Sequence, residues 1–228
     1  MRTAIITGGS GGLGAAVTRR FLTDGWQVVV PWVDERELGR LDDHPDLALE
    51  RADLFTEDGA AAALAAADRG GGTLRAVVNL VGGFATGERL HATPVSDFED
   101  LLRLNLRPTY LTCQAALPRL IAAGGGAIVC MASRAAVAPF PGGSGYAVSK
   151  AAVLALVDSL AVEYGEDGVR TNAVLPSVID TPANRAANPD TDPSTWVSPE
   201  EIAETIAFLC GDTAHSVNGA HVPIYGRA

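Results

Sequence analysis

Runs rich in Val and Ile alternate along the chain with stretches whose apolar residues recur at helical spacing, and no other feature narrows the fold as far. The period predicts strands over 3–7, 27–31, 47–51, 75–80, 127–131, 170–175 and 221–224. Between them it predicts helices over 13–23, 35–41, 57–69, 95–122, 146–163 and 199–209. Repeated strand–helix–strand succession implies parallel strands joined by right-handed crossovers, with helices covering both sheet faces. Strands apolar at successive positions, such as Ala76-Val77-Val78, fit a parallel sheet buried on both sides. The expected class is α/β, doubly wound. A chain of 228 residues fits one domain over 1–228, since single cores grow to roughly 250 residues before splitting, and neither a repeat nor a linker divides it.

Charge and cysteine content remove several functions. A formal charge of −10 with scattered Arg residues disfavours nucleic acid as a partner, because phosphate-backbone binding needs clustered cations. Cys113, Cys130 and Cys210 are odd in number and lie in apolar surroundings, which reads as buried thiols of a reducing compartment. No His, Cys or carboxylate group has ligand spacing, so no metal site is expected; His91, His215 and His221 read as exposed or structural. The first strand begins at once, with no signal peptide before it, and the most apolar runs fall short of the roughly 20 residues that span a bilayer. The expectation is a cytoplasmic protein without a membrane partner.

Two motifs carry chemistry. The first predicted strand ends in Thr7-Gly8-Gly9-Ser10-Gly11-Gly12-Leu13-Gly14, and a helix follows. Glycine allows a tight turn and close approach of the backbone to a pyrophosphate, while the helix N-terminus offers free N–H groups and the positive end of its dipole. A plain turn is the other reading, but the position between first strand and first helix favours the dinucleotide. Tyr146 and Lys150 are four apart on the helix predicted over 146–163, so they share a face. A phenol near pKa 10 is a poor acid–base catalyst at neutral pH, and a neighbouring ammonium would lower that value.

With Ser133 at a strand end thirteen positions before Tyr146, and Asn105 in the long preceding helix, the ordered set resembles the short-chain dehydrogenase/reductase family. The resemblance implies a Rossmann domain with a seven-stranded parallel sheet. It implies an NAD(P)-dependent oxidoreductase that moves a hydride between nicotinamide and a carbonyl or secondary alcohol. Tyr146 would be the general acid for reduction or base for oxidation, and Ser133 would bind the same substrate oxygen. Lys150 would hold the nicotinamide ribose and lower the tyrosine pKa. Asn105 would support a water linking Lys150 to solvent. Gly8, Ser10, Gly12, Leu13 and Gly14 resemble the phosphate loop, and Asp53 and Leu54 the adenine contacts. Asn79 and Gly82 match the segment after the fourth strand, and Ile179 and Thr181 the contacts to the carboxamide and phosphates.

Departures accompany the match. The fourth-strand motif reads Asn79-Leu80-Val81-Gly82, lacking its second asparagine and alanine, and the usual Pro-Gly after the sixth strand is Pro176-Ser177. Neither removes a group that performs chemistry. Trp32 falls where the family usually has the acid that bonds the adenosine ribose, while Asp34 lies two residues later and Arg36 is near enough to serve a 2′-phosphate. Asp34 and Glu35 lean the reading toward NAD(H) over NADP(H). Pro108 should kink its helix and free a carbonyl beside Asn105. Phe84, Phe140 and Trp196 follow strand ends, where they either line a substrate pocket or cover the core, and Arg134 meets an anionic substrate or solvent. The segment 177–197 is short for the family's substrate lid, which implies an open pocket or a small substrate.

The family usually forms dimers or tetramers through the long helices carrying Asn105 and Tyr146, and the pattern is most similar to 3-oxoacyl carrier-protein reductases. Two rival readings are a dinucleotide-binding sensor without catalysis and a dihydropteridine reductase-like enzyme. The intact Asn105, Ser133, Tyr146 and Lys150 set counts against the first, Ser133 against the second.

Overall fold

The computed structural model describes residues 1–227. The strands are β1 (Arg2–Thr7), β2 (Gln27–Trp32), β3 (Leu47–Arg51), β4 (Thr73–Asn79), β5 (Gly126–Met131), β6 (Val169–Pro176) and β7 (His221–Ile224). The helices are α1 (Gly14–Thr23), α2 (Glu57–Arg69), α3 (Val95–Ala122), α4 (Ser144–Glu163), α5 (Pro182–Ala187) and α6 (Pro199–Cys210). All seven strands form one parallel sheet in the order β3-β2-β1-β4-β5-β6-β7. The chain winds outward from β1 to β3, then returns to the other side of β1 with β4. That reversal opens a crevice at the carboxyl ends of β1 and β4, where ligands bind in open α/β sheets.

Alternation along each strand divides the core into two layers. Ala4, Ile6, Val28 and Val78 meet Val17 and Phe21 of α1 and Ile202 and Ile206 of α6. Ile5, Val29 and Val77 face the other way, onto Leu64 of α2, Leu120 of α3 and Val153 of α4. A buried aliphatic or phenyl side chain contributes about 1.5–3 kcal/mol, so both layers hold the strand ends firmly. Helix α4 is long and apolar enough by composition to cross a membrane. Its apolar residues are used inside the fold, where Val153, Leu154, Val157 and Leu160 join the core.

Several local expectations shift. The predicted helix over 35–41 is a 3₁₀ helix over Glu35–Arg40. Gly39 inside so short a run weakens an α-helical ladder, and short runs commonly take the tighter 3₁₀ form. Helix α5 lies in a segment with no predicted helix, started by Thr181, whose hydroxyl accepts from the Asn184 N–H, and by Pro182 in the first turn. The capping box of α6 forms as its sequence implies, with Ser198 and Glu201 exchanging bonds. Gly211 follows α6 in an extended conformation, so no left-handed glycine closes that helix. Helix α3 continues through both Pro108 and Pro118.

Candidate active site

The glycine loop forms one wall of the crevice. Gly8 has φ +66°, open to glycine at little cost, and a Cβ on Gly14 would overlap the Gly8 carbonyl oxygen. The N–H groups of Gly12 and Leu13 meet no acceptor among the described residues. The cleft of about 360 Å³ is lined by Ser10, Gly12, Leu13, Trp32, Asp53, Leu54 and Gly82, among others. Unpaired N–H groups at a helix start, beside a deep apolar slot, fit the pyrophosphate and adenosine of a dinucleotide.

Placement of the remaining expected cofactor residues varies. Gly8, Ser10, Gly12, Leu13, Gly14, Asp53, Leu54 and Gly82 all border the cleft. Thr181 touches the loop from above, since a Cβ on Gly12 would lie 3.3 Å from its side chain, and Ile179 pairs with Val197 at the base of that segment. The Asn79 side chain turns away and is buried, its Nδ2 donating to Cys113 Sγ at 3.3 Å. Asp34 also does not line the cleft. Its carboxylate accepts from the Arg36 N–H and guanidinium, with Nη2 to Oδ2 at 2.7 Å, and this pairing lowers its pKa to about 2. Glu37, a residue that sequence reasoning passed over, borders the cleft where Asp34 does not. It lines the cleft, Ser10 Oγ donates to its Oε2 at 3.3 Å, and Arg40 pairs with its Oε1 at 3.3 Å.

The other wall brings together Asn105, Ser133, Tyr146 and Lys150. Ser133 lies two residues beyond β5 in extended backbone. Its hydroxyl accepts from the Ala135 N–H at 3.2 Å and stands close enough to the Tyr146 phenol to favour its ionised form. Lys150, one turn along α4, is buried and donates to the Met131 carbonyl at 3.0 Å. A Cβ on Gly82 would lie 2.5 Å from Asn105 Oδ1 and 3.1 Å from Lys150 Nζ. Only glycine fits between them. Asn105 Oδ1 accepts from the Gly83 N–H at 2.9 Å, and its Nδ2 donates to Gly83 O at 3.1 Å and Ser149 Oγ at 3.0 Å. Ser149 in turn donates to the Tyr146 carbonyl at 2.8 Å. This chain of bonds ties the end of β4 to α3 and α4, and it fixes the tyrosine's height above the cleft.

Electrostatics depart from one expectation. Burial holds the Tyr146 phenol above its ordinary pKa, and the Ser133 hydroxyl opposes this. Burial lowers Lys150 to about 8, with Cys130 opposing. A phenol kept protonated at neutral pH is a proton donor in waiting. Around it, Phe84 stands edge-on to Tyr146 with centroids 4.9 Å apart, and Phe140 lies 6.3 Å from Phe84. Arg134 rests over the Tyr225 ring at 5.0 Å. His221 binds Asp158 at 2.7 Å, and no group of three potential metal ligands occurs among the described residues.

Comparison with known proteins agrees with this geometry. Residues 8–226 match the family described as enoyl-(acyl carrier protein) reductase. The chain is 35% identical over 243 residues to 2-(R)-hydroxypropyl-CoM dehydrogenase of Xanthobacter autotrophicus, covering 99% of this chain and 97% of that protein. A 3-ketoacyl-(acyl-carrier-protein) reductase from Brucella melitensis, solved with NADH, superposes with TM-score 0.88 at 25% identity, over 99% of this chain and 98% of that one. ElxO, solved with NADP, shares the fold with TM-score 0.91 at 23% identity, over 99% and 97%. Taken with the glycine loop and the Ser133–Tyr146–Lys150 arrangement, these matches show that the chain belongs to the short-chain dehydrogenase/reductase family.

Proposed function

We propose that this chain is an NAD(P)-dependent oxidoreductase that interconverts a carbonyl and a secondary alcohol. The observation that carries the reading is the Ser133–Tyr146 hydroxyl pair, set beside buried Lys150 and Gly82 at the mouth of the dinucleotide cleft. A bound nicotinamide supplies or accepts the hydride. Tyr146 delivers the proton to the substrate oxygen in reduction and removes it in oxidation. Ser133 donates to the same oxygen and holds it against the phenol. Lys150, pinned by the Met131 carbonyl, presents its amine to the ribose. Asn105 and Ser149 position Tyr146 and the Gly83 backbone.

We further assign the preference to NAD(H). Glu37 faces the cleft at its adenosine end, and no Lys or Arg lies in the glycine loop. Arg36 is engaged by Asp34, and Arg40 by Ser10 O at 3.2 Å and Glu37. A carboxylate there bonds ribose hydroxyls and repels a 2′-phosphate. The protein acts as one cytoplasmic domain that forms a homodimer or homotetramer. Exposed Tyr110, Val148 and Val162 on α3 and α4 support an apolar contact between copies.

The test is a carbonyl panel run with NADH carrying deuterium at C4. Alcohol with one deuterium on the carbinol carbon is the expected product. Tight dinucleotide binding with no cofactor oxidation across the panel would favour a sensor instead.

A further inference from the structure

We infer that the substrate carries a ring, aryl or cycloalkyl, next to its reacting carbon, and that Phe84 and Phe140 form the seat for it. The inference rests on the reaction proposed above. Phe84 is 64% exposed and Phe140 39% exposed, yet neither is an isolated surface residue. Phe84 meets the catalytic Tyr146 edge-on, with the rings inclined at 81°. Phe140 inclines to Phe84 by 35°, so two open faces adjoin the hydroxyl pair. Exposed phenyl faces beside a reactive phenol are satisfied by an apolar group brought there with the carbonyl. Aromatic faces favour offset or edge contact with another ring.

The seat is built in advance. The segments that carry the two rings are stitched by the Gly87 N–H donating to the Gly142 carbonyl at 3.1 Å. Gly142 has φ +77°, and a Cβ there would overlap the Gly87 carbonyl oxygen. The Phe140 ring rests on Gly143, where a Cβ would lie 2.6 Å from it. A side chain at 142 would force the backbone of the two segments apart, and one at 143 would displace the Phe140 ring. Gly143 is also the residue just before α4, so the seat and Tyr146 share one support.

The experiment compares acetophenone, octan-2-one of equal carbon number, and butan-2-one, by kcat/KM with NADH. Binding of each to the NADH complex is followed in parallel by saturation-transfer NMR. Wild-type protein is expected to prefer acetophenone to butan-2-one by at least about 10-fold, the discrimination typical of an added apolar group in a pocket. It should also prefer it to octan-2-one. Phe84→Ala should lower the acetophenone:butan-2-one ratio about 10-fold, and Phe84→Leu, which keeps bulk without a ring, should lower it partway. Equal preference for octan-2-one and acetophenone would overturn the ring assignment in favour of an alkyl chain. An equal loss on all three ketones in Phe84→Ala would also overturn it, leaving Phe84 as a support for Tyr146. Acetophenone binding without turnover would contradict the reaction and leave the seat standing. Turnover of butan-2-one without preferential binding of acetophenone would do the reverse.

Discussion

Replacing Lys150 by Met should remove a pH-dependent cost from the stability of the fold while disabling the enzyme. The amine is buried, with its pKa lowered from the ordinary 10.5 to about 8. A cation whose pKa is lowered on folding costs stability wherever the unfolded chain is protonated. That cost is complete below pH 8 and fades as the pH rises toward 10.5. The displacement corresponds to about 3 kcal/mol at pH 7, of which about 2 kcal/mol is recovered by pH 9.5. Methionine has similar length and no charge, so Lys150→Met removes the pH-dependent cost. It also removes the bond to the Met131 carbonyl at 3.0 Å, worth about 1.5–3 kcal/mol for a charged donor. The two effects nearly offset in absolute stability, but only the first depends on pH. The assay is urea unfolding of wild type and variant at pH 7 and pH 9.5. The wild type should gain about 2 kcal/mol relative to the variant across that interval. The neighbouring Cys130 and burial hold the Cys113 thiol up, and burial holds Cys210 up, in both proteins, so their contributions to the difference cancel. A difference that stays flat with pH would refute the buried-amine account.

Three further outcomes follow from the same geometry. Ser133→Ala should lower kcat by about 10–100-fold, since a lost hydrogen bond to a reacting oxygen costs about 1–3 kcal/mol; steady-state kinetics with saturating NADH checks this. Glu37→Gln should shift the NADH:NADPH ratio of kcat/KM toward NADPH by about 5–30-fold, the equivalent of about 1–2 kcal/mol of charge repulsion. Asp34→Ser should leave that ratio unchanged, because its carboxylate is held by Arg36 outside the cleft, and a shift there equal to that of Glu37→Gln would return the role to Asp34.

Much of the architecture was legible because parallel strands and amphipathic helices leave strong periods. β3, β7, α2 and α3 have the limits that their apolar patterns predict. Asn105, Ser133, Tyr146 and Lys150 were legible as a set through the family resemblance, whereas helical spacing alone placed only Tyr146 and Lys150 on one face. Legibility stopped at short irregular segments. Over Glu35–Arg40 the tight 3₁₀ turn puts Glu37, and not Asp34, against the glycine loop, and no period in six residues encodes that choice. Asn79 sits at a strand end, where its side chain turns to Cys113 and Cys130 instead of the cleft. Ser149 escaped notice because its role is a bond to backbone, which composition does not reveal. The Phe84–Phe140 pair depends on two loops meeting at Gly87 and Gly142, a contact between residues far apart in the chain. Burial, which spacing alone does not reveal, raises the Tyr146 pKa and lowers that of Lys150.

The central claim is that Tyr146 gives the proton while the rest of the site binds the dinucleotide. Tyr146→Phe keeps the ring that packs against Phe84 and removes only the hydroxyl. The direct measurement pairs NADH binding, followed by fluorescence titration, with single-turnover reduction of a carbonyl substrate. Binding within about twofold of wild type, with the rate lowered by about 10²–10⁴-fold, is the predicted result. A variant that reduces the substrate at the wild-type rate would contradict the account.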